Sequence, residues 1–252
     1  MCRLALLNRE AILFLEHDLD TLFCHLEKRL GGDGNGIGLL WQETGYIKVR
    51  KGLHFRAMHA AGALRFAAHQ GADWGLFHTR MATSGGVCTR TCHPFKHGHL
   101  VLAHNGHNDP FARLGALTRK VRSDSEALAQ YWARYHSPIS MLANWRGVFI
   151  GFHHNQPFVV KGQPARDLVL AWHEKSGAML FVSELPGKMR QRFDLCIDVG
   201  RLVWQGEMLD FTKIDRRPVS EPKKAVAMIS VGMTVPPLPT SPLSPEATPL
   251  LA

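Results

Sequence analysis

The sequence predicts a layered α+β domain built on antiparallel sheets, and three observations support that class. Apolar runs of strand length open the chain and dominate its second half. Amphipathic or alanine-rich segments of helix length lie between these two regions. Short turns join the later strands, which is typical of antiparallel hairpins and unlike the regular strand–helix alternation of parallel sheets.

The first 71 residues are predicted to include a buried N-terminal strand and two helices. The strand covers Cys2–Leu7, which is almost entirely apolar. Asp18–Leu30 is predicted as a helix because its leucines and a phenylalanine recur at helical spacing. Gly31–Gly38 is interpreted as a glycine-rich loop. The alanine-rich segment Phe55–Gln70 is predicted as the second helix, ended by Gly71.

The clearest helix signal lies at Ser123–His136. Ser123 and Glu126 fit a capping box, in which each side chain bonds the backbone N–H of the other residue. The remaining apolar runs are separated by turn residues and are predicted as strands. These strands are Ile37–Gln42, Tyr46–Arg50, Trp74–Thr79, Leu100–His104, Val148–His153, Pro157–Val160, Leu168–His173, Ala178–Ser183 and Arg201–Gln205.

Composition limits the cellular setting and the partners. The 252 residues carry a net charge of +9, which favours anionic partners. Neither a dense run of lysine and arginine nor a nucleic-acid motif occurs, so nucleic-acid binding is not predicted. The five cysteines are odd in number and sparse, which favours a reducing compartment. No apolar stretch spans a bilayer, and charges interrupt any signal peptide, so a cytoplasmic protein without membrane contact is predicted.

Two regions of different composition divide the chain. Residues 1–215 are predicted as the folded domain and 216–252 as a disordered tail. Eight of the 14 prolines fall at or after Pro218, and such a segment cannot form a helix or a sheet interior. The tail could be dispensable or could dock a partner.

Cys2 is the residue with the clearest chemical meaning. If Met1 is removed, Cys2 carries a thiol and a free α-amine on the same carbon. The reference pKa values, about 8.5 for a thiol and about 7.7–8.0 for an α-amine, are close enough for easy proton transfer between the two groups. An N-terminal cysteine can therefore supply both a nucleophile and its base.

Three further segments give Cys2 a context: His78–Gly85, His104–Gly106 and Ser123–Glu126. Each has a structural explanation by itself, since Asn-Gly is a common turn dipeptide and an aspartate often begins a helix. In this order, the four blocks resemble the glutaminase domain of class II glutamine amidotransferases, in the N-terminal nucleophile hydrolase superfamily. The resemblance covers residues 2–210 and implies a four-layer αββα sandwich of two antiparallel sheets between helix layers.

The resemblance also implies a division of roles. Cys2 would attack the side-chain amide of glutamine and form a γ-glutamyl thioester. The Asn105 side chain and the Gly106 backbone N–H would stabilise the oxyanion. It implies no cofactor and no metal.

Substrate recognition is implied by the same resemblance. Arg80 would bind the α-carboxylate of glutamine through its guanidinium fork. Asp124 would pair with the α-ammonium, and Met81 and Thr83 would line the pocket. The family often has an aromatic residue in place of Met81. Arg3 also differs from the glycine that often follows the cysteine in fused members, although stand-alone relatives begin with Cys-Arg.

Three functional hypotheses follow. The chain could release ammonia from glutamine for a separate acceptor synthase. It could instead be a stand-alone amidohydrolase of a γ-glutamyl metabolite. It could also be a non-catalytic binding module of the same fold.

Two alternatives use other chemistry. Cys88, Cys92 and His93, with His97 and His99 nearby, could hold a structural zinc ion. Adjacent Cys92 and His93 are awkward as joint ligands, however, and no second Cys-x-x-Cys pair occurs. A Cys/His dyad is also conceivable among 15 histidines, and it would be active with Met1 still attached.

Overall fold

The computed structural model describes residues 2–30, 32–82, 86–108, 111, 123–162, 166–206, 209–211 and 214–216, with side chains omitted at 29–30. They belong to a compact unit, Met1–Pro218. The predicted tail lies outside the described residues from 217 onward, and the domain boundary at 215 stays a prediction.

Twelve strands and five α-helices form the described part of the chain. The strands are β1 (Arg3–Asn8), β2 (Asn35–Trp41), β3 (Tyr46–Gly52), β4 (Trp74–Thr79), β5 (Phe95–His97), β6 (Leu100–Asn105), β7 (Val148–His153), β8 (Gln156–Lys161), β9 (Val169–His173), β10 (Ala178–Val182), β11 (Leu195–Asp198) and β12 (Leu202–Gln205). The helices are α1 (Arg9–Phe14), α2 (Leu19–Leu30), α3 (Ala57–His69), α4 (Asp124–Tyr135) and α5 (Gly187–Arg190). Two 3₁₀ helices cover Thr89–Thr91 and Ile139–Asn144.

The strands form two antiparallel sheets. The first has seven strands in the order β11-β9-β10-β1-β4-β2-β3, and the second has five in the order β12-β8-β7-β6-β5. Every strand pair within the two sheets is antiparallel. The chain therefore builds its sheets from hairpins and crossovers, as the short turns in its second half predicted.

Three apolar cores separate four layers. One core packs α1, α2 and α3 against the first sheet, and the middle core lies between the sheets. The third packs α4 and the 3₁₀ helix Ile139–Asn144 against the second sheet. The architecture is therefore the predicted α+β sandwich, with two antiparallel sheets between helix layers.

Strand β1 shows why an uninterrupted apolar run forms a strand in this fold. Successive side chains of a strand point to opposite faces. Leu4 and Leu6 enter the core between the sheets, whereas Ala5 and Leu7 enter the core beneath the helices. Both faces are buried, so all four positions must be apolar. This central position in the first sheet also fixes where Cys2, immediately before β1, must lie.

The interpretation of Gly31–Gly38 as a loop was partly wrong, because β2 begins at Asn35. Its glycines permit close contacts with other segments. A Cβ at Gly36 would lie 2.0 Å from the carbonyl oxygen of His93, so only glycine fits there. A sequence pattern cannot reveal such a contact, since it depends on a distant segment.

The sequence analysis missed the short elements α1, α5, β5 and β11 and both 3₁₀ helices. Neither β5 (Phe-Lys-His) nor β11 (Leu-Cys-Ile-Asp) has the apolar run that predicted the longer strands. Both lie at sheet edges, where one partner strand is enough to fix the conformation. None of the described helices has the length and apolar character that crossing a bilayer would require.

Candidate active site

The candidate site lies where three strands meet at one end of the paired sheets. Cys2 precedes β1, whose first residue Arg3 is paired with Thr79, the last residue of β4. In the facing sheet, β6 ends at Asn105. Because β1 packs on β6 across the middle core, the segments after β4 and β6 leave the sheets on the same side as Cys2.

A hydrogen bond between the sheets fixes this end of the sandwich. Nε2 of His78 lies 3.3 Å from the carbonyl oxygen of His104, so the imidazole donates its Nε2–H across the interface. Burial lowers the pKa of His78 to about 3, which keeps the ring neutral. This hydrogen bond holds His78 and His104 at a fixed distance. Arg80 and Gly106 each follow two residues later, so their segments start from fixed positions.

The thiol of Cys2 lies against the segment after β4. Its Sγ is 3.7 Å from the carbonyl oxygen of Met81. Burial raises the pKa of the thiol, while contact with the Met81 backbone and the charge of Arg80 act in the opposite direction. Asp124 lies close enough for its charge to raise the same pKa. The sulfur therefore lies within electrostatic range of the guanidinium and the carboxylate that the sequence analysis singled out.

Arg80 is buried, with 3% of its surface exposed, and its backbone is held from both directions. Its N–H donates to the carbonyl of Gly34, and its own carbonyl accepts from Asp33. One guanidinium nitrogen donates to the carbonyl oxygen of Gly86 at 3.1 Å. These bonds orient the charged end of the side chain beside Cys2.

Asp33 also holds the segment that contains Met81, which was predicted to line the pocket. Its carboxylate accepts a hydrogen bond from the N–H of Ala82 at 2.7 Å. The preceding side chain, Met81, is 40% exposed. Thr83, predicted to line the pocket, lies outside the described residues. The sequence analysis treated Asp33 only as part of a glycine-rich loop.

In the second sheet, Asn105 is the last residue of β6 and Gly106 follows it. Asn105 is 2% exposed. A Cβ at Gly106 would lie 2.4 Å from Nε2 of His104 and 2.6 Å from the carbonyl oxygen of Arg146. Any larger residue would displace the backbone, so glycine is required for packing at this position.

Asp124 is the first residue of α4, and the local sequence explains its position. The Ser123 side chain accepts a hydrogen bond from the N–H of Glu126 at 3.1 Å, which confirms the predicted N-cap. Asp124 is 5% exposed, and its Oδ2 accepts from the N–H of Asn108 at 3.0 Å. His107 lies 3.7 Å from the same oxygen.

Several residues of this network were not singled out by the sequence analysis. Asn108 donates to Asp124 and also bonds the backbone of Arg146 in both directions, at 3.1 and 3.2 Å. Ser125 bonds both His104 and Asp124. His104 and Ser125 stood inside the quoted motifs, but nothing in the sequence showed that these two residues would meet.

The alternatives with other chemistry are not supported in the part of the chain that the structure describes. No three His, Cys, Asp or Glu side chains there converge to hold a metal ion. Within the proposed zinc set, His93 is buried against the ring of His78, with centroids 4.0 Å apart. The Cys2 thiol has no histidine partner among the described residues, which leaves the Cys/His dyad without support.

Comparison with known proteins supports the fold. Neither a family model nor a curated protein matches the sequence. The solved structure of the allosteric regulatory enzyme of purine biosynthesis matches with a TM-score of 0.54 and 19% identity. The match covers 83% of this chain and 50% of the other, so this chain spans about half the length of that protein.

A second match is a glutamine aminotransferase class-II domain protein from Silicibacter pomeroyi. Its identity is 14% and its TM-score 0.41, over 74% of this chain and 88% of the other. That similarity is too low to carry an argument. The first match shares the layered fold of this chain, which agrees with the sandwich that the resemblance implied.

Proposed function

We propose that this chain, which has the N-terminal nucleophile hydrolase fold, hydrolyses the side-chain amide of glutamine through an N-terminal Cys2. One observation carries the proposal. The Cys2 sulfur lies 3.7 Å from the carbonyl oxygen of Met81, directly after Arg80, and the charges of buried Arg80 and Asp124 both act on its pKa. Such a pair is complementary to the α-carboxylate and α-ammonium of a free amino acid. The proposal requires removal of Met1.

The first step forms a thioester. The Cys2 sulfur attacks the amide carbon, and its proton passes to the α-amine of the same residue. Because burial raises the pKa of the thiol, little thiolate exists near neutral pH and a base must assist. The protonated amine then gives its proton to the departing ammonia. Water hydrolyses the γ-glutamyl thioester and releases glutamate.

Negative charge develops on the amide oxygen during both steps. Asn105 and Gly106 lie at the end of β6 and directly after it, on the facing sheet. The Asn105 side-chain amide and the Gly106 N–H would donate to that oxygen. Removing one such donor typically costs about 10²–10³ in rate. Rigid support matters here, and the bond between His78 and His104 supplies it immediately before these residues.

The released ammonia is proposed to pass to a separate acceptor enzyme. The stand-alone alternative, hydrolysis of a γ-glutamyl amide in a larger metabolite, uses the same residues and differs in the substrate. The half-exposed Met81 side chain at the wall of the site gives that alternative its support. A panel containing glutamine and N-substituted γ-glutamyl amides separates the two hypotheses.

The decisive experiment combines mass spectrometry with ammonia release. Intact mass is expected to show a protein lacking Met1. Cys2→Ala, which keeps the free amine, is expected to lower ammonia release from glutamine by more than about 10³, because no other group replaces the nucleophile. Cys24→Ala, which removes a half-buried thiol on α2, is the matched control and should retain activity.

Two results would contradict the proposal. Retention of Met1 in an active enzyme would remove the base. Unchanged ammonia release by Cys2→Ala would remove the nucleophile. Wild-type kcat/KM should also rise with pH through neutrality, because the α-amine acts as a base only when it is deprotonated. The raised pKa of the thiol means that thiolate forms only at higher pH.

A further inference from the structure

A chain of three buried side chains connects β6 to the first turn of α4. Nδ1 of His104 lies 3.0 Å from Oγ of Ser125, and the same Oγ lies 3.3 Å from Oδ1 of Asp124. The three residues are 1%, 4% and 5% exposed, respectively. Bulk water therefore does not compete for these bonds, and the protons within the chain must be assigned consistently.

The Ser125 hydroxyl has one proton, so it can donate to His104 or to Asp124 but not to both. A hydrogen bond to a carboxylate is roughly twice as strong as one between neutral groups. The proton is therefore expected on the side of Asp124. Oγ of Ser125 is then left as an acceptor, and His104 must donate to it from Nδ1.

The surroundings of the other ring nitrogen can accommodate this tautomer. Nε2 of His104 lies 3.3 Å from the side-chain amide nitrogen of Asn108, which can donate to an unprotonated Nε2. The orientation of that amide is fixed, because its oxygen accepts from the N–H of Arg146 at 3.1 Å. In this tautomer Nε2 has no proton and lies 3.0 Å from the carbonyl oxygen of Arg146, so two acceptors face each other and repel. The charge-assisted bond to Asp124 offsets that repulsion.

We propose that Ser125 and His104 are positioning residues that orient the carboxylate of Asp124 toward the α-ammonium of the substrate. The inference rests on the proposed function, in which Asp124 binds that ammonium. Asn108 holds Oδ2 through its N–H, and Ser125 holds Oδ1, so the carboxylate cannot rotate about its Cβ–Cγ bond. Because His104 immediately precedes Asn105, the relay also connects recognition of the ammonium to the oxyanion segment.

The test compares two substrates in Ser125→Ala. One is glutamine, and the other is glutaramate, which has the same amide and carboxylate but lacks the α-amine. Loss of a hydrogen bond to a charged group predicts a fall of about 10- to 100-fold in kcat/KM for glutamine, mostly through KM. For glutaramate, kcat/KM is expected to stay within about twofold, since no ammonium has to be held.

Matched variants separate positioning from simple destabilisation. Ser125→Thr retains the hydroxyl and is expected to restore most of the preference for glutamine. Ser123→Ala removes the N-cap of the same helix, at a typical cost of about 1 kcal/mol in stability. It should lower Tm without changing the ratio of the two kcat/KM values. A Tm for each variant checks that the protein is folded.

Each outcome bears on one claim. An equal loss for both substrates in Ser125→Ala would overturn the positioning role while leaving the hydrolase intact. A wild type without preference for glutamine over glutaramate would also overturn the positioning role. A wild type inactive on every amide would refute the proposed function. Calorimetric binding of L-glutamate and glutarate to wild type and Ser125→Ala would then test the relay.

Nitrogen-15 NMR of the His104 imidazole gives a second, independent measurement. The expected spectrum shows protonated Nδ1 and bare Nε2. Protonation at Nε2 instead would mean that the Ser125 proton points to His104 and away from Asp124, which would overturn the relay.

Discussion

The two ends of the paired sheets differ in how they accommodate polar residues. At the end that holds Cys2, the side chains of His78, Arg80, His104 and Asp124 are each 5% exposed or less. These groups are held by bonds between the sheets and from the loops. Burying polar groups costs free energy unless each is paired, so burial at this end lowers the stability of the fold wherever a partner is missing.

The opposite end also contains polar residues, but these lie at the surface. The N–H of Gln42 donates to the Asp73 carboxylate at 2.7 Å, and its side chain reaches the Asn155 carbonyl at 3.4 Å. All three residues remain partly exposed. Water can replace any of these bonds at little cost. Among the described residues, several buried polar side chains lie at the end that holds Cys2, which indicates that this end carries a function.

The sharpest test of this contrast substitutes a glycine at each end. Gly106→Ala places a methyl group against His104 and the Arg146 backbone. We expect at least about a 100-fold loss of the proposed glutaminase activity, because the proposed oxyanion donor would be displaced. Gly45→Ala, in a turn with φ of +66°, is expected to cost about 1 kcal/mol of stability with activity unchanged. Steady-state kinetics and thermal unfolding measure both. Equal activity of the two variants would contradict the contrast.

Arginine geometry gives the next largest effect. Arg80→Lys keeps the charge but loses the planar fork, so KM for glutamine is expected to rise by about 10-fold or more with a smaller change in kcat. Arg65→Lys, in an ion pair with Asp20 on the outer helix layer, is the control and should behave like wild type. An unchanged KM in Arg80→Lys would argue against carboxylate binding at this residue.

Acid stability reports on the buried histidines. Burial places the pKa of His93 well below its ordinary value, and neither of its ring nitrogens has a partner among the described residues. As pH falls through about 6.5, the unfolded chain binds a proton that the folded state excludes, so stability is lost. His93→Phe is expected to reduce the loss between pH 7.5 and 5.5 by about 1 kcal/mol.

The measurement for this variant is urea unfolding at both pH values. His17→Phe, which changes an exposed histidine, is the control and should keep the wild-type slope. A His93→Phe protein that loses as much stability as wild type on acidification would show that His93 does not titrate on unfolding.

The smallest expected effect lies at the opposite end. Asp73→Asn retains an oxygen that can accept from the N–H of Gln42, so unfolding should change by less than about 0.5 kcal/mol and activity not at all. Asp124→Asn is the same substitution at the site. It should weaken glutamine binding, because the α-ammonium of the substrate would no longer have a negatively charged partner. Similar kinetic losses in both variants would remove the distinction between the two ends.

Much of the fold could be predicted from local patterns. The run Cys2–Leu7 predicted β1 because a strand buried on both faces must be apolar throughout. Ser123 predicted the start of α4 because a hydroxyl satisfies a free N–H at a helix terminus. The start of β2 was missed, because its glycines are explained only by the approach of His93.

The candidate site was predictable in part. Its quoted residues came from the resemblance between four short blocks and a known family, and their roles stay proposals. Asn108 and Asp33 gave no signal in the sequence. Their importance lies in two hydrogen bonds, one from the Asn108 N–H to the Asp124 carboxylate and one from the Ala82 N–H to the Asp33 carboxylate. Such bonds form between segments far apart along the chain, and residue spacing does not encode them.

By itself, the sequence determined most of the longer strands and helices, through apolar periodicity and caps that act over a few residues. It also determined which side chains are available for chemistry. Only the tertiary structure decided that Arg80 and Asp124 both lie within electrostatic range of Cys2. It alone joined His104 to Ser125. The physical reason is that local patterns fix elements, whereas the pairing of β1 with β4 and its stacking on β6 fix which strand ends meet.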